Sequence, residues 1–397
     1  MKRFGLFLLA LGSGGCVEQA SPPADLAVRD SAGVWIVEYP GTPVSTGVLT
    51  LSPSPLYQHG TRDGEYPFTY PHSGVLLPDG SAAIADGGSG EIVLLGPNGS
   101  FRAVLAASGP GPAELGDVRR LLVLGQDTVL VDDPDRSRLL LLRGGSLVRT
   151  VDLREHAGRL AIKGVDSMGQ LLASSARLRT GVNTPWQPGH MTRLDPDTGA
   201  VDTIASYDWI PPGGPSPDRG NPFEPQGDVT VAGGVFVYGR SDTPELVWRR
   251  PDGAVSQIVR WVPQRTWPTD EYWARFEAYA RARFLRYNAH LERSSVEEYV
   301  RMDLARYEHV PDEPLPLYRL LFGDRAGRVW LGEYTMKGAV SVPRYTVLSR
   351  DGGPLGVVEV PAGFRLLDVA GGRLLGVLPD AMDVQTVTVY ELLHDEG

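Results

Sequence analysis

The stretch that most constrains this chain is residues 73–107, SGVLLPDGSAAIADGGSGEIVLLGPNGSFRAVLAA. Four short β-rich runs are separated by tight-turn residues. Pro78-Asp79-Gly80 ends the first run, the run 82–85 exits at Asp86, 87–90 turns the chain into 91–95, and Pro97-Asn98-Gly99 turns it again into 101–105. Glycine supplies positive φ in such turns and proline presets the turn entry, so this spacing predicts a four-stranded antiparallel meander.

Weaker copies follow. A second runs over 118–153, with strands at 121–124, 129–131, 139–142 and 147–151. A third covers 160–165, 170–173, 191–194 and 201–205, with a long excursion before His190. A fourth spans 229–261, a fifth 318–360, and a sixth 364–392 shows only three strands. One meander cannot bury both of its faces, but neighbours stacked around a ring can. The expected architecture is therefore an all-β, six-bladed β-propeller. The three-stranded last copy predicts closure by an N-terminal strand, and the runs 34–39 and 48–51 are the candidates.

Between the fourth and fifth copies the period changes. Trp273, Phe276, Ala280, Phe284, Tyr287 and Leu291 recur at three- and four-residue steps, which is helical spacing. Ser294-Ser295-Val296-Glu297 reads as a capping box for a second helix. A helical hairpin insertion is expected over 268–310, its aromatic stripe packing on blade edges. The arginines Arg275, Arg281, Arg283, Arg286 and Arg293 mix with Glu271, Glu277 and Glu292, as on a solvated helix face.

The 48 glycines and 33 prolines sit at turns, which speaks for an ordered all-β fold. The net charge of -10 argues against a nucleic-acid partner. At the N-terminus Lys2 and Arg3 precede an apolar run over 4–11, too short to cross a bilayer as a mature helix. Ser13-Gly14-Gly15-Cys16 follows and carries the only cysteine. This segment resembles a bacterial lipoprotein signal. The expected organisation is a signal segment at 1–16 with lipidation at Cys16, a tether at 17–29 and the propeller at 30–397. The expected location is the cell envelope, with membrane contact through the lipid alone; soluble secretion is the alternative.

RDSAGVWIVEYP at 29–40, LLPDGSAAIAD at 76–86, SGPGPAEL at 108–115, GRVWLGE at 327–333 and VTVYEL at 387–392 resemble the six-bladed β-propeller lipoproteins of bacteria and the wider NHL-repeat propellers. The resemblance implies an exported six-bladed propeller and carries over no catalytic residue.

Candidate chemistry is sparse. Asp86, Asp132 and Glu333 follow the second strand of their copies, and Asp380 stands near the same point in the sixth. Carboxylates converging at one channel mouth would suit a hard cation such as calcium. The competing structural role is capping of local turns by aspartate. The seven histidines include no close-spaced zinc pair, and no Gly-x-Ser-x-Gly elbow is present. The leading expectation is a scaffold that binds a protein, peptide or small molecule without a cofactor. The alternative is a calcium-type lactonase, lyase or hydrolase.

Overall fold

The computed structural model describes residues 26–43, 49–60, 65–111, 113–156, 160–176, 186–210, 223, 225–288, 292–305, 313–335, 342–379 and 384–394. Four strands come first: β1 (Ala27–Ser31), β2 (Val34–Tyr39), β3 (Leu49–Leu51) and β4 (Tyr57–His59). Blade one is β5 (Pro71–Leu76), β6 (Ala82–Asp86), β7 (Glu91–Leu95) and β8 (Phe101–Ala107). Blade two is β9 (Arg120–Leu124), β10 (Thr128–Asp133), β11 (Arg138–Arg143) and β12 (Ser146–Asp152). Blade three is β13 (Leu160–Val165), β14 (Leu171–Ala176), β15 (Gln187–Leu194) and β16 (Val201–Ile210). Blade four is β17 (Gly227–Ala232), β18 (Val235–Arg240), β19 (Glu245–Arg249) and β20 (Val255–Trp261). The helices α1 (Asp270–Tyr287) and α2 (Arg293–Ala305) follow. Blade five is β21 (Leu320–Gly323), β22 (Val329–Gly332), β23 (Arg344–Leu348) and β24 (Pro354–Glu359). Blade six is β25 (Arg365–Ala370), β26 (Arg373–Pro379) and β27 (Gln385–His394). These form six separate antiparallel meanders, the six blades of a propeller.

The core is a ring. One apolar cluster lies in each gap between consecutive blades. Val75, Ala83 and Ile92 of blade one meet Leu121, Val131 and Leu140 of blade two. Equivalent clusters join blades two and three, three and four, four and five, and five and six. The last one packs Leu375, Val387 and Val389 of blade six on Leu76, Ile84 and Val93 of blade one. Because both faces of a blade are covered, the second strands β6 and β10 are buried at every position. Each fully buried aliphatic side chain contributes about 1.5–3 kcal/mol, so a blade gains stability only from its neighbours.

The N-terminal strands divide between two blades. The Leu49–Leu51 strand β3 pairs antiparallel with β27, Leu51 opposite Leu392, and β4 pairs with the same strand, His59 opposite Val387. The run 34–39 does not go there. As β2 it pairs parallel with β20 of blade four, from Trp35 opposite Gln257 to Tyr39 opposite Trp261. β1 folds back on it and makes a six-stranded sheet. Alternation in VWIVEY marks a half-buried strand but cannot name its partner.

The insertion is helical as expected. Thr269 caps α1 by accepting a hydrogen bond from the Tyr272 amide. The second helix starts one residue before Ser294: the Glu292 carbonyl accepts from the Ser295 and Val296 amides, so Ser294 sits inside the first turn. Phe276 of α1 is buried with Phe223 and Leu315, and Tyr334 of blade five packs on this cluster. Phe284 stacks on Tyr299 of α2 with ring centroids 4.0 Å apart. The aromatic stripe is therefore packing surface. Leu291 and the end of the expected insertion, 306–310, lie outside the described residues.

Candidate functional site

The inner strands β5, β9, β13, β17, β21 and β25 all contribute to one central cavity of about 350 Å³. Its wall is held together by polar links from strand to strand. Ser73 Oγ of blade one accepts the Leu121 amide of blade two at 2.9 Å. Arg119 and Arg120 of blade two donate to the Leu160 and Ile162 carbonyls of blade three. Lys163 of blade three lies 3.6 Å from Asp228 of blade four. Thr230 Oγ1 of blade four accepts the Gly323 amide of blade five at 2.9 Å. Arg325 of blade five reaches Asp368 of blade six at 2.6 Å and the Leu76 carbonyl of blade one at 2.6 Å. Asp368 also accepts the Leu76 amide at 2.8 Å. An inner strand has no strand partner on its channel side, so side chains satisfy part of that edge.

Three inner strands carry a β-bulge, which re-aims one residue. The extra residues are His72 in β5, Lys163 in β13 and Leu367 in β25. Lys163 and Leu367 thereby line the cavity, together with Arg120, Asp166, Asp324, Arg325 and Asp368. Sequence reasoning did not single out these charged residues. The signal was a charge in an otherwise apolar inner strand, alone in RLLVL and LAIKGV and one of two in RLLDVA.

The carboxylates expected from the sequence stand in different settings. Asp86 is buried, and its oxygens accept the Thr69, Tyr70 and Gly88 amides. It anchors the segment entering blade one. Its counterpart in blade two is Asp133, not Asp132. Asp133 accepts the Gly116 and Asp117 amides, and these offsets of 17 and 16 residues are the same in both blades. Glu333 is over half exposed and lies 3.9 Å from Arg344, beside a separate cleft lined by Trp261, Tyr272 and Tyr334. Asp380 and Cys16 lie outside the described residues. Among the described residues no group of three or more His, Cys, Asp or Glu side chains is placed to hold a metal ion.

Asp132 is the unusual one. It stands opposite Arg120 in the register of β9 and β10 and is buried, and its Oδ2 has no hydrogen-bond partner. The nearest cation is Arg119 at 3.6 Å. Burial pushes its carboxyl up to about 6, against the pull of Arg119 and Arg120. The unfolded chain has the lower, ordinary value. Between about pH 4 and pH 6 the folded state therefore holds the extra proton, and stability falls as pH rises through that window. The penalty above pH 6 is on the order of 2–3 kcal/mol. Asp132→Asn is expected to raise stability at pH 7 by about 1–2 kcal/mol and to flatten the profile between pH 4 and 6. Urea titrations at several pH values measure both; an unchanged profile counts against the buried ionisable carboxyl.

The fold and cavity together define a six-bladed β-propeller with a charged, walled central channel. No family model matches the chain, and no curated protein matches it. Solved structures do match. The chain is similar to a "Putative exported protein" from Bacteroides fragilis NCTC 9343, at 11% identity over 91% of this chain and 100% of that one, with a TM-score of 0.53. It is similar to a member of the DUF4221 family from Bacteroides vulgatus ATCC 8482, at 11% identity over 88% of this chain and 100% of that one, with a TM-score of 0.53. At this identity the likeness is one of fold.

Proposed function

We propose that this chain is an exported propeller of the bacterial cell envelope that binds a small ligand or a protein partner. The observation that carries this reading is a cavity lined by the inner strands of all six blades. Enclosed clefts with a few convergent polar groups are the usual form of ligand sites. The exported neighbour from Bacteroides supports the address. In this reading β3 and β4 close the ring on β27, and the helical insertion flanks a second face for a partner. A screen of the mature domain against small molecules and envelope extracts tests it. Saturable binding is expected; turnover of a bound compound would move the protein into an enzyme class.

Anchoring is proposed at Cys16, by a diacylglyceryl thioether with cleavage ahead of it. The chain has no second cysteine to substitute. Each buried lipid CH₂ contributes about 0.8 kcal/mol, and stable attachment takes more than one acyl chain. Cys16→Ser is expected to abolish membrane association and leave the propeller folded. Fractionation with labelled fatty acid checks this, and labelling that survives the substitution would refute it.

The unpartnered Oδ2 of Asp132 favours one alternative, a cation-assisted activity that rests on Asp132, since Asp86 is engaged by backbone amides and Glu333 stands at the separate cleft. Calorimetry with calcium decides it. An absence of binding heat at millimolar calcium ends that alternative.

A further inference from the structure

We propose that the central cavity is a binding site for a small organic anion, with the Arg120 guanidinium as its receptor. This rests on the binding function proposed above and names the class of ligand. Around the cavity each of four carboxylates already has its own cation. Asp132 lies 3.6 Å from Arg119, Asp228 3.6 Å from Lys163, Asp324 2.6 Å from Arg328 and Asp368 2.6 Å from Arg325. Arg120 is the cation left over. Among the described residues its one hydrogen bond is long, 3.4 Å to the Ile162 carbonyl, and no carboxylate lies within ion-pairing distance of it. A guanidinium carries five N–H donors in a planar fork.

Burial pulls the Arg120 pKa down, while the fields of Asp228, Asp368 and Asp132 hold the group charged. A charged group with unused donors, facing a cavity and partly out of water, gains from an anionic partner. The fork fits two oxygens of one carboxylate or phosphate. The cavity volume, about 350 Å³, is at the small end for ligand sites and excludes a folded partner or a long peptide. Val75, Val123, Val231 and Phe322 line it beside Arg120, so the ligand combines an anionic head with a small apolar body. Asp166 remains as a carboxylate in the lining, its Oδ1 held by the Met168 and Gln170 amides. The whole chain carries a net charge of -10, and the lining balances Arg120, Lys163 and Arg325 against Asp166, Asp324 and Asp368, so the attraction for an anion is local to the unpaired Arg120 fork.

The test is an NMR titration of full-length mature protein with labelled arginine. The probes are acetate, benzoate, succinate, inorganic phosphate and glycerol phosphate, with glucose and choline as controls. Arg120→Lys assigns the Arg120 signals and tests the fork while keeping the charge. The expected result is a saturable shift of the Arg120 signals with at least one anion, and a roughly tenfold or greater loss of affinity in Arg120→Lys. The carboxylate and phosphate arms tell which head group is preferred. If Arg120→Lys does not fold, a crystal structure of the wild type with the tightest anion decides. An anion located away from Arg120 overturns the proposal, and so does unaltered affinity in a folded Arg120→Lys. A protein that ignores every anion but captures a neutral ligand or a peptide overturns the anion site and leaves the binding function standing. Failure of both panels overturns both.

Discussion

Replacing Asp324 by alanine is expected to remove about 3–5 kcal/mol of stability, a large share of what a domain usually has. Its carboxylate is fully buried in the turn between β21 and β22. Oδ2 accepts from Arg328 Nε at 2.6 Å and from Trp330 Nε1 at 3.0 Å, and Oδ1 accepts the Arg328 amide at 2.9 Å. Trp330 is the largest fully buried side chain among the described residues and sits in the cluster between blades five and six. Alanine leaves the indole N–H, a nearly buried guanidinium and a backbone amide without their acceptor at once. Asp324→Asn keeps an acceptor but not the charge, so roughly half the loss is expected. Urea unfolding followed by tryptophan fluorescence measures both. A loss under about 1 kcal/mol for alanine would mean that water replaces the carboxylate and that the turn is open.

Gly227→Ala is expected to cost roughly 3 kcal/mol or more, or to prevent folding, for a steric reason. Gly227 opens the inner strand of blade four where it passes the end of blade three. A Cβ there would stand 1.6 Å from the Asp208 carbonyl oxygen and 2.7 Å from its carbon. Both atoms are backbone, so no side chain can swing away. Gly41 is the matched control, since a Cβ at that position would meet nothing within 4 Å. Gly41→Ala is expected to stay within about 0.5 kcal/mol of wild type. Thermal melts of the two variants side by side test the pair, and equal melting temperatures would contradict the close passage.

The blades were legible because turn residues and strand runs are local signals. Pro78-Asp79-Gly80 and Pro97-Asn98-Gly99 mark hairpins without knowledge of anything distant. The helical insertion was legible for the same reason: Trp273, Phe276 and Ala280 show their period within a few turns. Partner choice was not. The run 34–39 joins blade four because Ile36 and Val37 find Ile258 and Val259, more than two hundred positions away. Position within a strand was half legible. Asp86 and Asp133 each stand five places before the first residue of the next strand, Glu91 and Arg138, and that interval would have separated Asp133 from Asp132. The channel charges were the least legible. Arg120, Lys163, Arg325 and Asp368 belong to four blades and meet only when the ring forms, so no window of sequence contains the site.

The division of the N-terminal strands has a mechanical consequence. A load applied ahead of Ala27 meets β1 first, an outermost strand exposed along its whole length. Next comes the parallel ladder of β2 on β20, and only then the three residues of β3 on β27. The β1–β2 hairpin therefore peels from the outer edge of blade four before force reaches blade six. It is placed to act as a sacrificial clasp: stretching yields slack over residues 27–39 before load reaches the pairing of β3 and β4 with β27.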